Sequence, residues 1–412
     1  MLVPDLEPCR AGEPEIAALV VSMRAREDFK AGRIPAGFTY LGQFIDHDIT
    51  FDPTPFGARP RRPRRTVNRR TPRLDLDSLY GGGPEVQPYL YEKHVPRRLL
   101  LAKGPPLDLP RNHEFVALIG DPRNDENAIV SQLHLLFARF HNRIADELEL
   151  GFEKARRLLL RHYHWIVLND YLPKILGDSW TGPRKHFRPA GEPFIPVEFS
   201  AAAFRFAHSM VKPDYGIKAL PADRDDSGPT VDLFPGLEGF RALESAREIV
   251  WDRFFASGDR APQDSSAIDT RLAKKLYELP FGDEPMLARR TLLRGIKLGL
   301  PSGQTLAHAL GQPALDEEDL LLGDVEMPMR KTLARSTPLW YWILCEAQKK
   351  RGRHLGPLGA LIVGEVLTGL IETDPASFPR EEPGWEPGEL GGTKGVFSMA
   401  SLVRFARGEE PL

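Results

Sequence analysis

Between Asn124 and Glu149 the apolar residues Leu133, Leu135, Leu136, Phe137, Phe140, Ile144 and Leu148 mark one long helix, and no stretch of comparable length reads as strand. Further helices are predicted at 36–48, 88–102, 152–176, 198–211, 270–278, 285–298, 337–351 and 355–372. An amphipathic stretch from Glu15 to Ala25 precedes them, and a short helix over Phe397 to Ala406 follows. The 36 glycines and 38 prolines concentrate between these segments, as expected of helices joined by ordered loops. The expected fold class is mainly α, with very little β. A chain of 412 residues could divide into two or three domains. Its polar motifs interleave along the helical segments, so we expect one large domain over 36–372. An N-terminal arm, 1–35, and a C-terminal extension, 373–412, flank it. Pro375, Pro379, Pro383 and Pro387 make the start of that extension an extended tail packed on the domain.

Polar residues stand at unusual places in this apolar frame. The stretch Gly42-Gln43-Phe44-Ile45-Asp46-His47-Asp48-Ile49-Thr50 puts Gln43 and His47 on one helical face. Asp46 and Asp48 point to either side of His47, each about 100° of helical rotation away. Read alone, the triplet is a solvated polar face. Residues 71–81 hold Thr71, Asp75 and Asp77, with a free backbone carbonyl at Arg73. A hard cation such as calcium takes several oxygens from such a loop, and Asp48 could complete the set. Gly at the sixth position and Glu at the twelfth, the marks of a helix–loop–helix calcium hand, are absent, and alone the loop reads as a capped turn. Gly120-Asp121-Pro122 opens a helix on which Arg123 and Glu126 share a face. Phe199 to Val211 is a small-residue apolar helix with His208 near its end, and a lone histidine there reads first as a satisfied core residue.

In order along the chain, from about residue 36 to about 370, these pieces resemble the animal haem peroxidases of the peroxidase–cyclooxygenase superfamily, which includes myeloperoxidase and lactoperoxidase. Gly42-Gln43…Asp46-His47-Asp48 is similar to the distal-histidine motif, and Thr71…Tyr80-Gly81 to the calcium loop. Gly120-Asp121…Arg123…Glu126 is similar to the catalytic-arginine motif, and Arg205…His208 to the proximal-histidine helix. Supporting likeness lies in His141-Asn142-Arg143, Asn169-Asp170-Tyr171-Leu172-Pro173, Leu298-Gly299-Leu300-Pro301-Ser302 and Leu355-Gly356-Pro357.

The resemblance implies a haem b bound at His208 as iron ligand, with Arg205 beside it. It implies a peroxidase that reduces hydrogen peroxide and oxidises small donors, with a place in the response to oxidative stress. His47 is then the distal base, Arg123 stabilises charge on the leaving oxygen, and Gln43 holds a water or halide near His47. Asp46 and Glu126 match the carboxylates that esterify haem methyl groups in mammalian members. Calcium is implied at Asp48, Thr71, Arg73 (through its carbonyl), Asp75 and Asp77, where it would clamp the distal helix.

Two departures stand out. Asn127 occupies the position of the methionine that gives myeloperoxidase a third, sulfonium link to haem. Iodide, bromide, thiocyanate or phenols are therefore expected as donors ahead of chloride. The family's asparagine partner of the proximal histidine has no evident counterpart. Its nearest matching stretch is Ser336-Thr337-Pro338-Leu339-Trp340, where a serine or threonine stands. Two other readings compete. A fatty-acid dioxygenase on this scaffold needs a tyrosine three residues before the proximal histidine, and that position is Arg205; no tyrosine occurs between Phe194 and Val211. A non-catalytic haem-binding or adhesive protein is disfavoured because Gln43, His47 and Arg123 are all present.

Other chemistries find little support. His162 and His164 are about 200° apart on a helix and cannot share a metal from one face. His134 and His141 lie in a Leu/Phe-rich stripe that reads as core. Cys9 and Cys345 are too few for a disulfide framework, which points to a reducing compartment or to a protein that does without such cross-links. A net charge of −2 gives no bias toward nucleic acid. The seven arginines at 59, 61, 62, 64, 65, 69 and 70, interrupted by Pro60 and Pro63, read as a solvated loop rather than an anionic docking site. No apolar run reaches a membrane-spanning length, and the first residues lack the features of a signal peptide. The expected location is cytoplasmic, or outside by a route without a classical signal peptide.

Overall fold

A single helix, Ala128–Glu147, runs through the middle of the molecule, and the rest is arranged around it. Its N-terminus is fixed by the Asn127 side chain, which accepts hydrogen bonds from the amides of Ile129 and Val130. Leu133, Phe137, Phe140 and Ile144 are fully buried along it. This is α4 in a computed structural model that describes residues 1–24, 30–52, 68–218, 228–257 and 261–409, apart from positions 181, 183, 190, 281 and 391. The remaining helices are α1 (Glu13–Ser22), α2 (Gly37–Ile49), α3 (Asp77–Tyr80), α5 (Phe152–Ile166), α6 (Leu172–Leu176), α7 (Val197–Ser200) and α8 (Leu287–Lys297). They are followed by α9 (Gly303–Ala309), α10 (Met329–Arg335), α11 (Leu339–Lys349), α12 (Pro357–Thr373), α13 (Phe378–Glu381) and α14 (Met399–Arg407).

Helices α2, α5 and α14 pack on α4. The α2 contact is a stacked ring pair, Phe44 on Phe137 at 4.7 Å, and the α14 contact an edge-on pair, Phe140 and Phe405 at 5.5 Å. On the other side α11 is the hub, touching α8, α9 and α12. Among the described residues the β structure is three two-stranded antiparallel ladders: β1 (Ala31–Pro35) with β6 (Asp264–Ser266), β2 (Tyr91–Glu92) with β3 (Val95–Leu99), and β4 (Asp214–Tyr215) with β5 (Val231–Asp232). Among the described residues no helix is long and apolar enough to cross a membrane. The fold is therefore mainly α, as expected.

Three predicted helices come out differently. Residues 88–102 form a single 3₁₀ turn, Pro88–Leu90, and then the β2–β3 hairpin. Pro96 cannot donate the bond an interior helical position needs. The side chain of Asn142 instead pairs with both backbone groups of Leu99, at 2.7 and 2.9 Å, and holds the strand on α4. The segment 198–211 is α7 followed by a 3₁₀ helix, Ala203–His208. Residues 270–278 hold only the 3₁₀ turn Lys274–Tyr277. The predicted 152–176 helix is continuous through a π-helical stretch, Val167–Tyr171, just before Pro173, whose missing N–H disrupts the regular ladder. The predicted extended tail contains α13. Of the arginine run, positions 59 to 65 lie outside the described residues.

Candidate active site

Two walls enclose a cavity of about 560 Å³. The first wall is α2 together with the segment Asp121–Asn127. It contributes Gln43, Asp46, His47, Arg123, Glu126 and Asn127. The second is the 3₁₀ helix Ala203–His208 with α8, contributing Arg205, His208, Arg290, Thr291 and Arg294. The structure thus brings Gln43, Asp46, His47, Arg123, Glu126, Arg205 and His208 to one cavity.

Close backbone approach explains two of the motif glycines. A Cβ on Gly42 would lie 2.6 Å from the Tyr171 hydroxyl, so α2 can seat against Tyr171 only without one. A Cβ on Gly120 would lie 2.5 Å from the Ser78 carbonyl oxygen and 2.7 Å from that of Asp77. That contact presses the Arg123 segment onto the loop carrying Asp75 and Asp77.

Arg123 is held by an ion pair. Asp121 is fully buried and receives Arg123 Nη2 at 2.7 Å and Arg70 at 2.7 Å. Burial alone would raise the Asp121 carboxyl, but Arg123 and Arg70 bring it down to about 2. Arg123 Nη2 also donates to the carbonyls of His47 (3.1 Å) and Thr50 (2.6 Å), and the guanidinium lies 4.7 Å from the Phe51 ring centre. The arginine is therefore oriented before any ligand arrives.

His47 is buried, and its Nδ1–H donates to Asn124 Oδ1 at 2.8 Å. Burial, with the nearby Arg123 charge, lowers its pKa to about 4. The ring is therefore neutral at pH 7. Gln43 bridges its neighbours with long bonds, donating to Glu126 Oε2 (3.4 Å) and accepting from Asn127 Nδ2 (3.3 Å). Burial raises the Glu126 carboxyl to about 7. Asp46 Oδ1 accepts from the Thr50 hydroxyl at 2.9 Å.

On the second wall the 3₁₀ geometry has a purpose. With about three residues per turn, side chains three apart eclipse, so Arg205 and His208 share one row. Arg205 Nε donates to the Ser200 carbonyl (2.8 Å), and the Arg205 carbonyl accepts from Trp340 Nε1 (3.0 Å). The Trp340 ring meets the His208 ring edge-on at 5.9 Å. Burial, with Arg205 and Arg290 nearby, lowers the His208 pKa to about 3. A neutral imidazole is what a metal ligand requires.

The proximal partner is not where the sequence pointed. Ser336 and Thr337 are engaged elsewhere: the Ser336 hydroxyl accepts from the Arg10 amide, and the Thr337 hydroxyl donates to Leu333. Instead Thr291 Oγ1 lies 3.4 Å from His208 Nδ1 while donating to the Leu287 carbonyl at 2.9 Å. It can therefore only accept from the imidazole. Sequence reasoning missed Thr291 because it sought the partner beside Pro338. The residue sits inside a strongly amphipathic helix, where its sequence signal is that of an ordinary helical position. Arg290 and Arg294 were missed as cavity residues for the same reason.

Behind the first wall, carboxylate oxygens of Asp48, Asp75 and Asp77 all lie within 4.8 Å of one another. Asp48 is fully buried, and among the described residues its Oδ1 has no hydrogen-bond partner. The Thr71 hydroxyl donates to Asp75 at 2.8 Å, which puts Thr71 at the same place. Arg73 turns its side chain away to Asp374 (2.9 Å). Three carboxylates this close, with a buried oxygen unsatisfied, fit a hard cation held by anionic oxygens.

Comparison with known proteins gives the family and the fold. The profile of the animal haem peroxidase family matches residues 54–302, and the chain belongs to that family. The matched span begins after α2, so that His47 and His208 share one cavity rests on the structure alone. Thyroid peroxidase of Canis lupus familiaris is 26% identical over 361 residues, which cover 76% of this chain and 38% of that protein. The chain thus spans well under half the length of the curated relatives it matches. Peroxidase A from Dictyostelium discoideum shares the fold with a TM-score of 0.68 at 18% identity, over 90% of this chain and 85% of that one. A fatty acid alpha-dioxygenase of Oryza sativa does so with a TM-score of 0.64 at 16% identity, over 90% and 75%.

Proposed function

We propose that this chain is a haem-dependent peroxidase, with His208 on one side of the bound group and His47, Arg123 and Gln43 on the other. The observation that carries the reading is that His47 and His208 line one cavity together with Arg123, Arg205, Arg290 and Arg294. The cavity fits haem in its donor set: His208 offers an imidazole for iron, and Arg205 and Arg294, the latter paired with Asp52 at 3.0 Å, are cations on the same cavity for propionates. Haem, when bound, supplies the redox chemistry of peroxide cleavage. His47 Nε2 takes a proton from one oxygen of hydrogen peroxide and delivers it to the other as the O–O bond breaks and water leaves. Arg123, already fixed by Asp121, stabilises negative charge on the departing oxygen. The remaining oxygen atom leaves as a second water once two electrons from a donor and two protons have been added. Iodide, bromide, thiocyanate or phenols are the proposed donors, because Asn127 offers no sulfur for a third haem link.

Asp46 and Glu126 are the proposed ester-forming carboxylates. Both line the cavity, and each carboxylate–methyl bond would replace a methyl C–H bond, the proton leaving to solvent and hydrogen peroxide taking the two electrons. Calcium is proposed at Asp48, Asp75 and Asp77 with the Thr71 hydroxyl and carbonyl and the Arg73 carbonyl. Since Asp48 adjoins His47 in α2, the ion would fix the helix that carries the base.

The test is the absorption spectrum of the chain loaded with haem and calcium. A Soret band that shifts on hydrogen peroxide and returns on iodide or a phenol is expected. A Soret band indifferent to peroxide would overturn the reading. Oxygen uptake with an unsaturated fatty acid and no reducing donor would favour a dioxygenase, a reading against which Arg205 stands.

A further inference from the structure

The distal base is held by a residue that neither the motif nor the proposed chemistry uses. Asn124 is fully buried between two histidines. Its Oδ1 accepts from His47 Nδ1–H at 2.8 Å, and its Nδ2 donates to His134 Nδ1 at 3.1 Å. His134 is buried in α4, with the Phe44 ring edge-on at 6.2 Å. Asn124 and His134 are thus buried behind the cavity wall, and His47 turns one ring nitrogen to Asn124 while its side chain lines the cavity.

An amide has an oxygen and a nitrogen end of nearly the same shape, and only its neighbours decide which way it faces. Two arrangements satisfy this triad. In the first, His134 presents a lone pair at Nδ1. The amide NH₂ then faces His134 and the amide oxygen faces His47. The His47 proton sits on Nδ1, and Nε2 is left bare toward the cavity. In the second, His134 carries its proton on Nδ1 and the amide is reversed. His47 then holds its proton on Nε2 and presents no base at all. The two differ only by tautomers and an amide rotation, yet one has a base in the cavity and the other has none.

We propose that Asn124 is a positioning residue that, locked by His134, fixes His47 in the tautomer with a bare Nε2. The inference rests on the peroxidase reading for its consequence, but the tautomer itself does not. The same arrangement explains why Asn124 directly follows Arg123: one short 3₁₀ turn, Pro122–Asp125, aims the arginine at the cavity and the amide at the back of the histidine.

The experiment is a ¹⁵N-histidine spectrum of the full chain loaded with diamagnetic zinc protoporphyrin, with peroxide-step and donor-step rates measured separately on the haem form. In the wild type, His47 is expected with protonated Nδ1 and bare Nε2. The opposite tautomer would overturn the proposal. Asn124→Leu is expected to lose the preference and to slow the peroxide step by about 100-fold, the lower end of a general base's contribution. The donor step should hold, since His47 serves only the first. Asn124→Asp, which keeps an acceptor, is expected to restore the tautomer and most of the lost rate. An Asn124→Leu protein with unchanged tautomer and peroxide rate would overturn the idea. If that variant fails to fold, His134→Phe serves: a mixed His47 tautomer supports the lock, and an unchanged one removes it. A wild type inert to peroxide would end the peroxidase reading, while the nitrogen spectrum would still judge Asn124.

Discussion

The two walls of the cavity are built on different principles. The wall carrying His47 is a polar lattice. Asp121 joins Arg70 and Arg123, Arg123 bonds the carbonyls of His47 and Thr50, and Asn124 bonds His47 from behind. Around His208 itself the other wall is mostly packing. The imidazole meets the edge of Trp340 and makes one long hydrogen bond, to Thr291. Groups that must move protons at a fixed distance need rigid polar orientation. A group that binds a metal needs a neutral ring and room to adjust, since the metal bond then sets its position. The contrast teaches where a substitution should act in one step and where it should only tune.

The sharpest test of the contrast is to remove the base. His47→Ala is expected to lower the second-order rate with peroxide by about 10²–10⁴-fold, the range for a positioned acid–base group, while the haem spectrum of the resting protein is kept. His208→Ala should do the reverse and lose stable haem capture, read by Soret titration. Peroxide kinetics unchanged by loss of His47 would break the assignment of the walls.

The lattice itself is next. Asp121→Asn leaves Arg70 and Arg123 without their shared buried anion, and removing one partner of such a pair costs about 3–5 kcal/mol. A fall of this size in urea-unfolding free energy is expected, with a peroxide rate that drops as Arg123 loses its anchor. A loss under about 1 kcal/mol, the range of exposed pairs, would show that the lattice is looser than its geometry.

Calcium removal should act on the same wall only. Exhaustive chelation, with loss of metal confirmed by elemental analysis, is expected to weaken peroxide turnover and disturb the haem spectrum through α2. Donor oxidation measured after the peroxide step should change less. Full activity of demonstrably metal-free protein would dispose of the clamp.

Much of this contrast could be read from the sequence, and unevenly. The distal wall was legible because its residues are polar where a helix should be apolar. Gln43, Asp46, His47, Arg123 and Glu126 stand out by type and by i, i+3 or i, i+4 spacing, and all reach the cavity. The resemblance supplied the roles that spacing alone left open. The proximal wall was half legible. His208 was found, but Thr291 is a hydroxyl inside an amphipathic helix, and it becomes a partner only because α8 packs where it does. The fold shows the same division. Long helices with regular apolar spacing, such as α2, α4, α11 and α12, lie close to their predicted spans. The hairpin at 91–99 was lost because Tyr91, Val95 and Leu99 also suit a helical face. Only Pro96 and the distant Asn142 side chain decide for strand.

Acid should separate the buried histidines from the walls. His141 donates through Nε2 to the Arg97 carbonyl (2.9 Å) and accepts from the Tyr80 hydroxyl (3.0 Å). His162 donates from Nδ1 to the Leu158 carbonyl (2.8 Å), while its Nε2 has no partner beside Phe397. Burial lowers both to about 4, against about 6.5 in an unfolded chain. A lowered histidine contributes stability that is present above pH 6.5 and is lost as pH falls toward 4, because the unfolded chain binds the proton first. These two histidines should therefore lower the thermal midpoint over that window, against the opposite contribution of Glu126 and Glu346, whose carboxyls, raised to about 7, take up their protons first in the fold. His162→Phe, which keeps the ring packing and removes one titrating group, should flatten the slope. A slope identical to wild type would mean that His162 is not neutral in the fold.

The smallest effect is expected at Thr291. His208 Nδ1 has a hydroxyl acceptor at 3.4 Å, beyond the usual span of a strong hydrogen bond. The partner at this nitrogen sets how much electron density the imidazole lends to iron, and a better acceptor favours the ferric state. Thr291→Asn places an amide carbonyl within reach and should lower the ferric/ferrous potential. Thr291→Val removes the acceptor and should raise it by a smaller amount, since only a weak bond is lost. Peroxide rates should move little in either case, because the base and the arginine sit on the other wall. A potential that is the same in all three proteins would show that the long bond carries no influence, and that packing against Trp340 alone holds the ring. A large fall in the peroxide rate with Thr291→Val would break the comparison itself, for the proximal wall would then be as tightly specified as the distal one.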